Sequence, residues 1–275
     1  MTPAPVWAAV ARKLASDIGW LLAALLAMAA VWHLAVTTFD LGAFGTKSVG
    51  DVWRYLLTEE DAGAHRAEIG SALRRTVEHA GLGFVAGMLV GTGLAVAFVL
   101  VPALERPLLP LLLLTQALPV LAVLPLFVLL FGRGLLVTLV ITTLAVFFPA
   151  FVLTAQGLRA VPAGQRDWFA SVAAGRLTTL VRLRLPSAVP NVCAAAKVAV
   201  PSAMFGAIVA EWLATGDGLG YLMITAATGS GGYTQLWASV AVTTVLTMAW
   251  YAAVGVAEGI CLGHFAPHRL DSRTA

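Results

Sequence analysis

The sequence predicts an all-α polytopic membrane bundle of six transmembrane helices. Three observations carry that fold class. Of the 275 residues, 60% are hydrophobic and only 11% charged, at a mean hydropathy of +0.89, whereas a soluble domain carries roughly 25% charged residues. Six stretches have about the 20 mostly apolar residues that a membrane helix needs: 18–39, 76–100, 108–131, 135–158, 193–214 and 236–263. These runs are apolar on all sides, without the dyad alternation of barrel strands. Their glycines and prolines are tolerable because neighbouring helices re-satisfy the backbone.

Taken in chain order, residues 1–17 form an N-terminal arm. The run 18–39 is long enough to remain as a first span rather than a cleaved signal peptide. Residues 40–75 form an outer segment. Within it, VGDVWRYLLTEEDAGAHRAEIGSALRRTV reads as an interfacial helix, a turn at Asp61-Ala62-Gly63 and a lead into the second span. Trp53 and Tyr55 suit the headgroup level, in a surface helix that braces the bundle. In the second span Gly83, Gly87 and Gly91 recur at four-residue spacing, a small-residue stripe for close helix packing. GLGFVA at Gly81–Ala86 fits GxGxxA but begins no βαβ unit.

Thr115 and Gln116 precede Pro119 in the third span, and Ser202 and Met204 follow Pro201 in the fifth. Proline-broken helices expose carbonyls to a solute cavity, so these residues are candidate path lining. Glu211 sits near the outer end of the fifth span, before the Gly216–Gly220 turn. It either lines the path, holds an outer gate or hydrogen-bonds that turn, because intramembrane acids are functional candidates by default. Lys197 and Glu258 near the inner ends are expected to snorkel or pair. His33 and His79 are expected to pack and hydrogen-bond.

Between the fourth and fifth spans lies RAVPAGQRDWFASVAAGRLTTLVRLRLPSAVP, from Arg159 to Pro190. About thirty residues is long for mere connection. The segment carries five arginines against one acid, Asp167. With both termini inside, ten Lys and Arg fall on the inner side and six on the outer. The positive-inside bias therefore puts both termini, the 159–192 loop and the 264–275 tail in the cytoplasm.

Several functions are disfavoured. The net charge of +3 is small and its basic excess tracks loops, which argues against nucleic-acid binding. Cys193 and Cys261 form no metal or disulfide framework. GAFGTKS at Gly42–Ser48 lacks the adjacent Gly-Lys pair of a phosphate loop, so this chain is expected not to hydrolyse ATP. Scattered Ser, His and Asp compose no triad, and no cofactor or metal site is expected.

The run Asp167–Pro186 resembles the cytoplasmic loop of bacterial ABC importer permeases, the binding-protein-dependent inner-membrane components. Their pattern is roughly E-A-A-x3-G-x9-I-x-L-P. Aligned on Leu185-Pro186 without a gap, Asp167 takes the acid position, Ala173 the glycine and Leu183 the isoleucine. AVP at Ala188–Pro190, GAIVAEWL at Gly206–Leu213 and GLGYLM at Gly218–Met223 continue the likeness. SALRRTVEHAGLGFVAGMLVGTGLA, ALPVLAVLPLFVLLFG and FFPAFVLTAQGLRAVP resemble the sulfonate, taurine and nitrate branch. The resemblance covers about residues 70–265 and implies a type I importer permease, with 76–263 a five-helix core that includes the loop.

It further implies a coupling helix at about 166–177 that inserts into a groove on a cytosolic ATPase. Trp168, Phe169, Val172 and Ala173 would bury against that partner, and Arg176 and Arg182 would supply charge-assisted contacts. Gly175 and Leu185 belong to the same loop. Pro186 and Pro190 would end the following segment and set the angle of the fifth span. Trp168 and Phe169 replace the pattern's alanines; Asp167 keeps its charge, placed near a helix N-terminus where it favours the dipole. The implied partners are a second permease subunit (identical or different), two ATP-binding subunits that hold ATP and Mg, an extracytoplasmic binding protein and the lipid bilayer. The implied solute is a small anion such as a sulfonate, taurine or nitrate. A pyrimidine or vitamin precursor is the alternative, and an ion-coupled secondary transporter is the rival class.

Overall fold

A computed structural model of the protein describes residues 6–39, 45–117, 120–229 and 232–265. Among these residues the structure is helical, with no strand. The helices are α1 (Val6–Thr38), α2 (Val49–Leu57), α3 (Ala62–Leu100), α4 (Glu105–Ala117), α5 (Val120–Phe131), α6 (Leu135–Arg159), α7 (Ala163–Ser171), α8 (Arg176–Thr179), α9 (Leu185–Leu213), α10 (Gly218–Thr228) and α11 (Tyr233–Phe265). Among the described residues five helices are long and apolar enough to cross a membrane, and six spans result if α4 and α5 count as one.

The centre is built on α3, α6 and α9, with α6 packed extensively against both of the others. The glycine stripe explains how α3 and α6 come so close. A Cβ on Gly83 would run into Thr142, one on Gly87 would lie 2.5 Å from Val146, and one on Gly91 would strike the Phe147 carbonyl. Without side chains at those positions the backbones gain dispersion contacts along their length, a strong source of association where water supplies no hydrophobic drive. Towards the C-terminal ends of α3 and α6 Phe98 meets Phe151 edge-on at 5.3 Å, within a buried cluster that includes Leu158 and Leu180. By contrast α1 lies at the margin, held to α11 by Trp32 stacked on Trp237 at 5.2 Å.

Five expectations are corrected. The helix of the second span begins at Ala62, well before residue 76, and the turn before it occupies residues 58–61 rather than 61–63. Hydropathy reads the membrane and not the helix: the polar first turns of α3 are held by Ile69 and Ala72, which pack with Val52, Leu219 and Met223. Ser48 and Asp51 cap α2 reciprocally. Trp53 is exposed, but Tyr55 turns inward and stacks on His65 at 3.8 Å.

The single third span expected at 108–131 is a pair of helices, α4 and α5, bent by 104°. A Leu-Pro step in the sequence between them disfavours continuous helix; Pro119 itself lies outside the described residues. Pro186 and Pro190 do not end a segment. A π turn at Leu180–Arg184 joins α8 to α9, and residues Arg176–Leu213 run as one 38-residue rod. Pro186 is the second residue of α9, directly after the π turn, where the hydrogen-bond ladder changes register. The rod tolerates Pro190 and Pro201 within it.

Candidate coupling loop and solute path

The helix expected at 166–177 is two helices. α7 stops at Ser171 because Ala173 adopts a left-handed backbone, φ +51°. Ala174 N–H donates to the Phe169 carbonyl and Ala173 N–H to the Ala170 carbonyl, both at 3.0 Å. These two bonds make a Schellman cap, whose left-handed residue is usually glycine. Ala173 occupies the glycine position of the loop pattern, so the structure supplies the reason for that glycine. Gly175 then precedes α8 in an extended conformation.

Around this corner the expected loop residues divide. Trp168 and Val172 point outward, 62% and 56% exposed. Phe169 is half-buried against its own chain and meets Trp168 edge-on at 5.2 Å, so the two aromatics do not share one outward surface. Asp167 is exposed in the middle of α7, beyond the first turn where a helix dipole acts. Arg176 opens α8 and donates to the Leu100 carbonyl at 3.4 Å, while Arg182 is exposed on the π turn. Leu185 and Pro186 sit in the first turn of α9.

Of the expected path residues, Thr115, Gln116 and Ser202 meet on one cavity of about 690 Å³ between α4, α5, α6 and α9. Phe127 and Phe205, which the sequence reading missed, face the same space. No charged side chain lines it among the described residues. Met204 lies elsewhere, buried with Ala80 and Ala207.

Glu211 lies apart from the cavity, fully buried near the C-terminal end of α9. Thr76 Oγ1 donates to one carboxylate oxygen at 2.9 Å, and Gly220 N–H donates to the same oxygen at 2.8 Å. His79 Nδ1 bonds the other at 2.8 Å. Thr76 Oγ1 also accepts from Leu219 N–H at 2.8 Å. One acid thereby ties α3, α9 and the start of α10 together, with its buried oxygens satisfied by donors. A Cβ on Gly218, which has φ +92°, would collide with that carboxylate, and one on Gly220 with the Ile208 carbonyl and Glu211 Cβ. Glu211 thus bonds the turn, one of its expected alternatives. Thr76 was missed; its signal was placement one turn before His79 on the same helix face. Lys197 pairs with Glu258 at 3.4 Å and sits 4.8 Å from the Tyr251 ring centroid.

A polytopic bundle with this loop between spans defines a class of membrane transport component, and comparison with known proteins gives the family. The chain belongs to the binding-protein-dependent transport system inner membrane components, whose family profile matches residues 83–260. It is 37% identical over 145 residues to a protein of Haemophilus influenzae named as an ABC transporter permease, covering 53% of this chain and 59% of that one. It is 35% identical over 161 residues to a formylaminopyrimidine transport permease of Halalkalibacterium halodurans, covering 58% and 63%. A protein of Bacillus subtilis named for aliphatic sulfonate transport is 29% identical over 162 residues, covering 59% and 54%. The matched segments span about three fifths of those relatives' lengths.

Proposed function

We propose that this chain is the permease subunit of an ATP-driven ABC importer, multi-pass in the bacterial inner membrane with both termini cytoplasmic. Two such subunits form one pathway, a binding protein delivers solute to the outer face, and two cytosolic ATPases that hold ATP and Mg drive alternating access. The observation that carries this reading is the α7 corner, which projects Trp168 and Val172 outward from a basic loop between spans. Large apolar side chains held exposed on a short helix suit a partner groove. Coupling then runs from the ATPase through α7 and α8 into α9.

The solute reading shifts towards the neutral alternative. An anion taken into the 690 Å³ cavity would meet Thr115, Gln116 and Ser202 but no cation among the described walls, and an unpaired buried charge is costly. Two phenylalanines and a few hydroxyl and amide groups suit a small planar heterocycle, such as a pyrimidine or vitamin precursor. The likeness to the formylaminopyrimidine permease supports it. A sulfonate-class anion is the second reading, supported by the likeness to the sulfonate permease.

The test is uptake into vesicles with a partner ATPase, ATP and binding protein, with pyrimidines and alkyl sulfonates as competitors. The importer reading expects dependence on ATP, indifference to uncoupler and loss of both ATPase association and transport in Trp168→Glu/Val172→Glu. Ion-gradient uptake by the isolated chain would overturn it in favour of a secondary transporter. Competition by sulfonates alone would overturn the heterocycle.

A further inference from the structure

Beneath the α7 corner the loop and the inner end of α3 enclose a second cleft of about 340 Å³. Arg166 reaches it from α7, Arg176 from α8 and Arg184 from the π turn. Leu100, Pro102 and Phe169 supply apolar wall. No acidic side chain among the described residues lines it. The neighbouring Arg159 is paired with Glu105 at 2.8 Å, but Arg166, Arg176 and Arg184 have no carboxylate partner among the described residues. Three like charges gathered at one cleft repel each other, and apart from the one Arg176 bond to the Leu100 carbonyl their donors stay open to an anion.

The place in the fold indicates which anion. Leu100 is the last residue of a membrane-spanning helix, and Arg176 bonds its carbonyl. The cleft therefore lies where hydrocarbon gives way to headgroups, with basic side chains above an apolar wall. Basic pockets between helices at the cytoplasmic boundary take anionic headgroups, and guanidinium forks match phosphate oxygens. We propose that this cleft binds the phosphate headgroup of an anionic phospholipid, so that the coupling loop rests on a bound lipid as well as on its own chain. Phe169 and Arg176 then serve the lipid side of the corner, and Trp168 and Val172 the outward side.

Native mass spectrometry of the detergent-extracted full chain, titrated with phosphatidylglycerol, phosphatidylcholine or inorganic phosphate, tests this. The proposal expects phosphatidylglycerol to be retained over phosphatidylcholine and not displaced by millimolar inorganic phosphate. Each arginine lost should weaken that preference about five-fold, and Arg166→Gln/Arg176→Gln/Arg184→Gln should abolish it. Arg166→Gln alone is the second variant, because its side chain makes no hydrogen bond within the described chain and its loss leaves the fold intact. Equal retention by the wild type and Arg166→Gln overturns the proposal. So does displacement by inorganic phosphate, which would make the site one for a free anion. Unchanged lipid binding in variants that lose ATPase association assigns the arginines to the ATPase and overturns it too. Lipid retention is read without ATPase or transport, so its failure is distinct from failure of the importer reading.

Discussion

Ala173 offers a quantitative test of the loop geometry. A left-handed backbone costs an L-residue roughly 1–2 kcal/mol, and glycine escapes that cost while losing about 0.5–1 kcal/mol more chain entropy on folding. The Ala173 side chain is exposed, so its removal forfeits no packing. Ala173→Gly should therefore stabilise the α7 cap by a net of about 0.5–1 kcal/mol. Local opening of the Ala174 and Ala173 amides, which donate at 3.0 Å to Phe169 and Ala170, should slow about two- to five-fold. Hydrogen exchange by mass spectrometry over residues 163–175 reads this directly. Ala173→Val, β-branched at positive φ, should move protection the other way. If glycine leaves protection unchanged or lowers it, or if valine is tolerated equally, the left-handed cap is refuted.

Other predictions follow from the same contacts. Glu211→Ala strips the partner from Gly220 N–H, Thr76 and His79 and should cost about 3 kcal/mol, read as a lower unfolding midpoint of the solubilised chain. Gly220→Ala should also lower that midpoint, because its Cβ would lie 2.5 Å from the Ile208 carbonyl oxygen. Hydrogen bonds from the Ser48 backbone and then its hydroxyl hold Asp51 below its ordinary value of 3.8. That contribution is present above pH 3.8 and disappears as pH falls below it through the folded-state value. Trp53 fluorescence should report α2 loosening only in that acid range, whereas Ser48→Ala should loosen it at neutral pH by about 1 kcal/mol.

How much of this was legible in the sequence differs by physical scale. Apolar runs of span length announced the bundle, and the spacing of Gly83, Gly87 and Gly91 announced a close helix approach that the structure gives to α6. The N-terminal extension of α3 was hidden because its first turns are polar, and only contact with α2 and α10 shows that they are helical and packed. The loop departures at 168, 169 and 173 were visible as letters. Their divergence was not, since adjacent residues of a helix face different sides and only the packing of α7 shows which side meets the chain. Thr76 and Glu211 lie 135 positions apart, a pairing that no local pattern encodes.

In the proposed importer, the placement of Glu211 gives the loop something to act on. The rod from Arg176 to Leu213 begins at the coupling corner and ends at the acid that fastens α10 to α3. At about 1.5 Å per residue its 38 residues extend about 57 Å, more than a hydrocarbon core. A rod of that length carries displacement only if its ends are fixed to moving parts. The inner end is fixed through the π turn, where Leu180 and Leu183 are buried, and the outer end through three donors converging on one carboxylate. Pro201 lies between them, beside Ser202 and on the cavity wall. The missing N–H there frees a carbonyl and softens the rod at the depth of the solute. Motion imposed at the loop would therefore divide at Pro201, with the outer half held by Glu211 while the inner half reshapes the cavity.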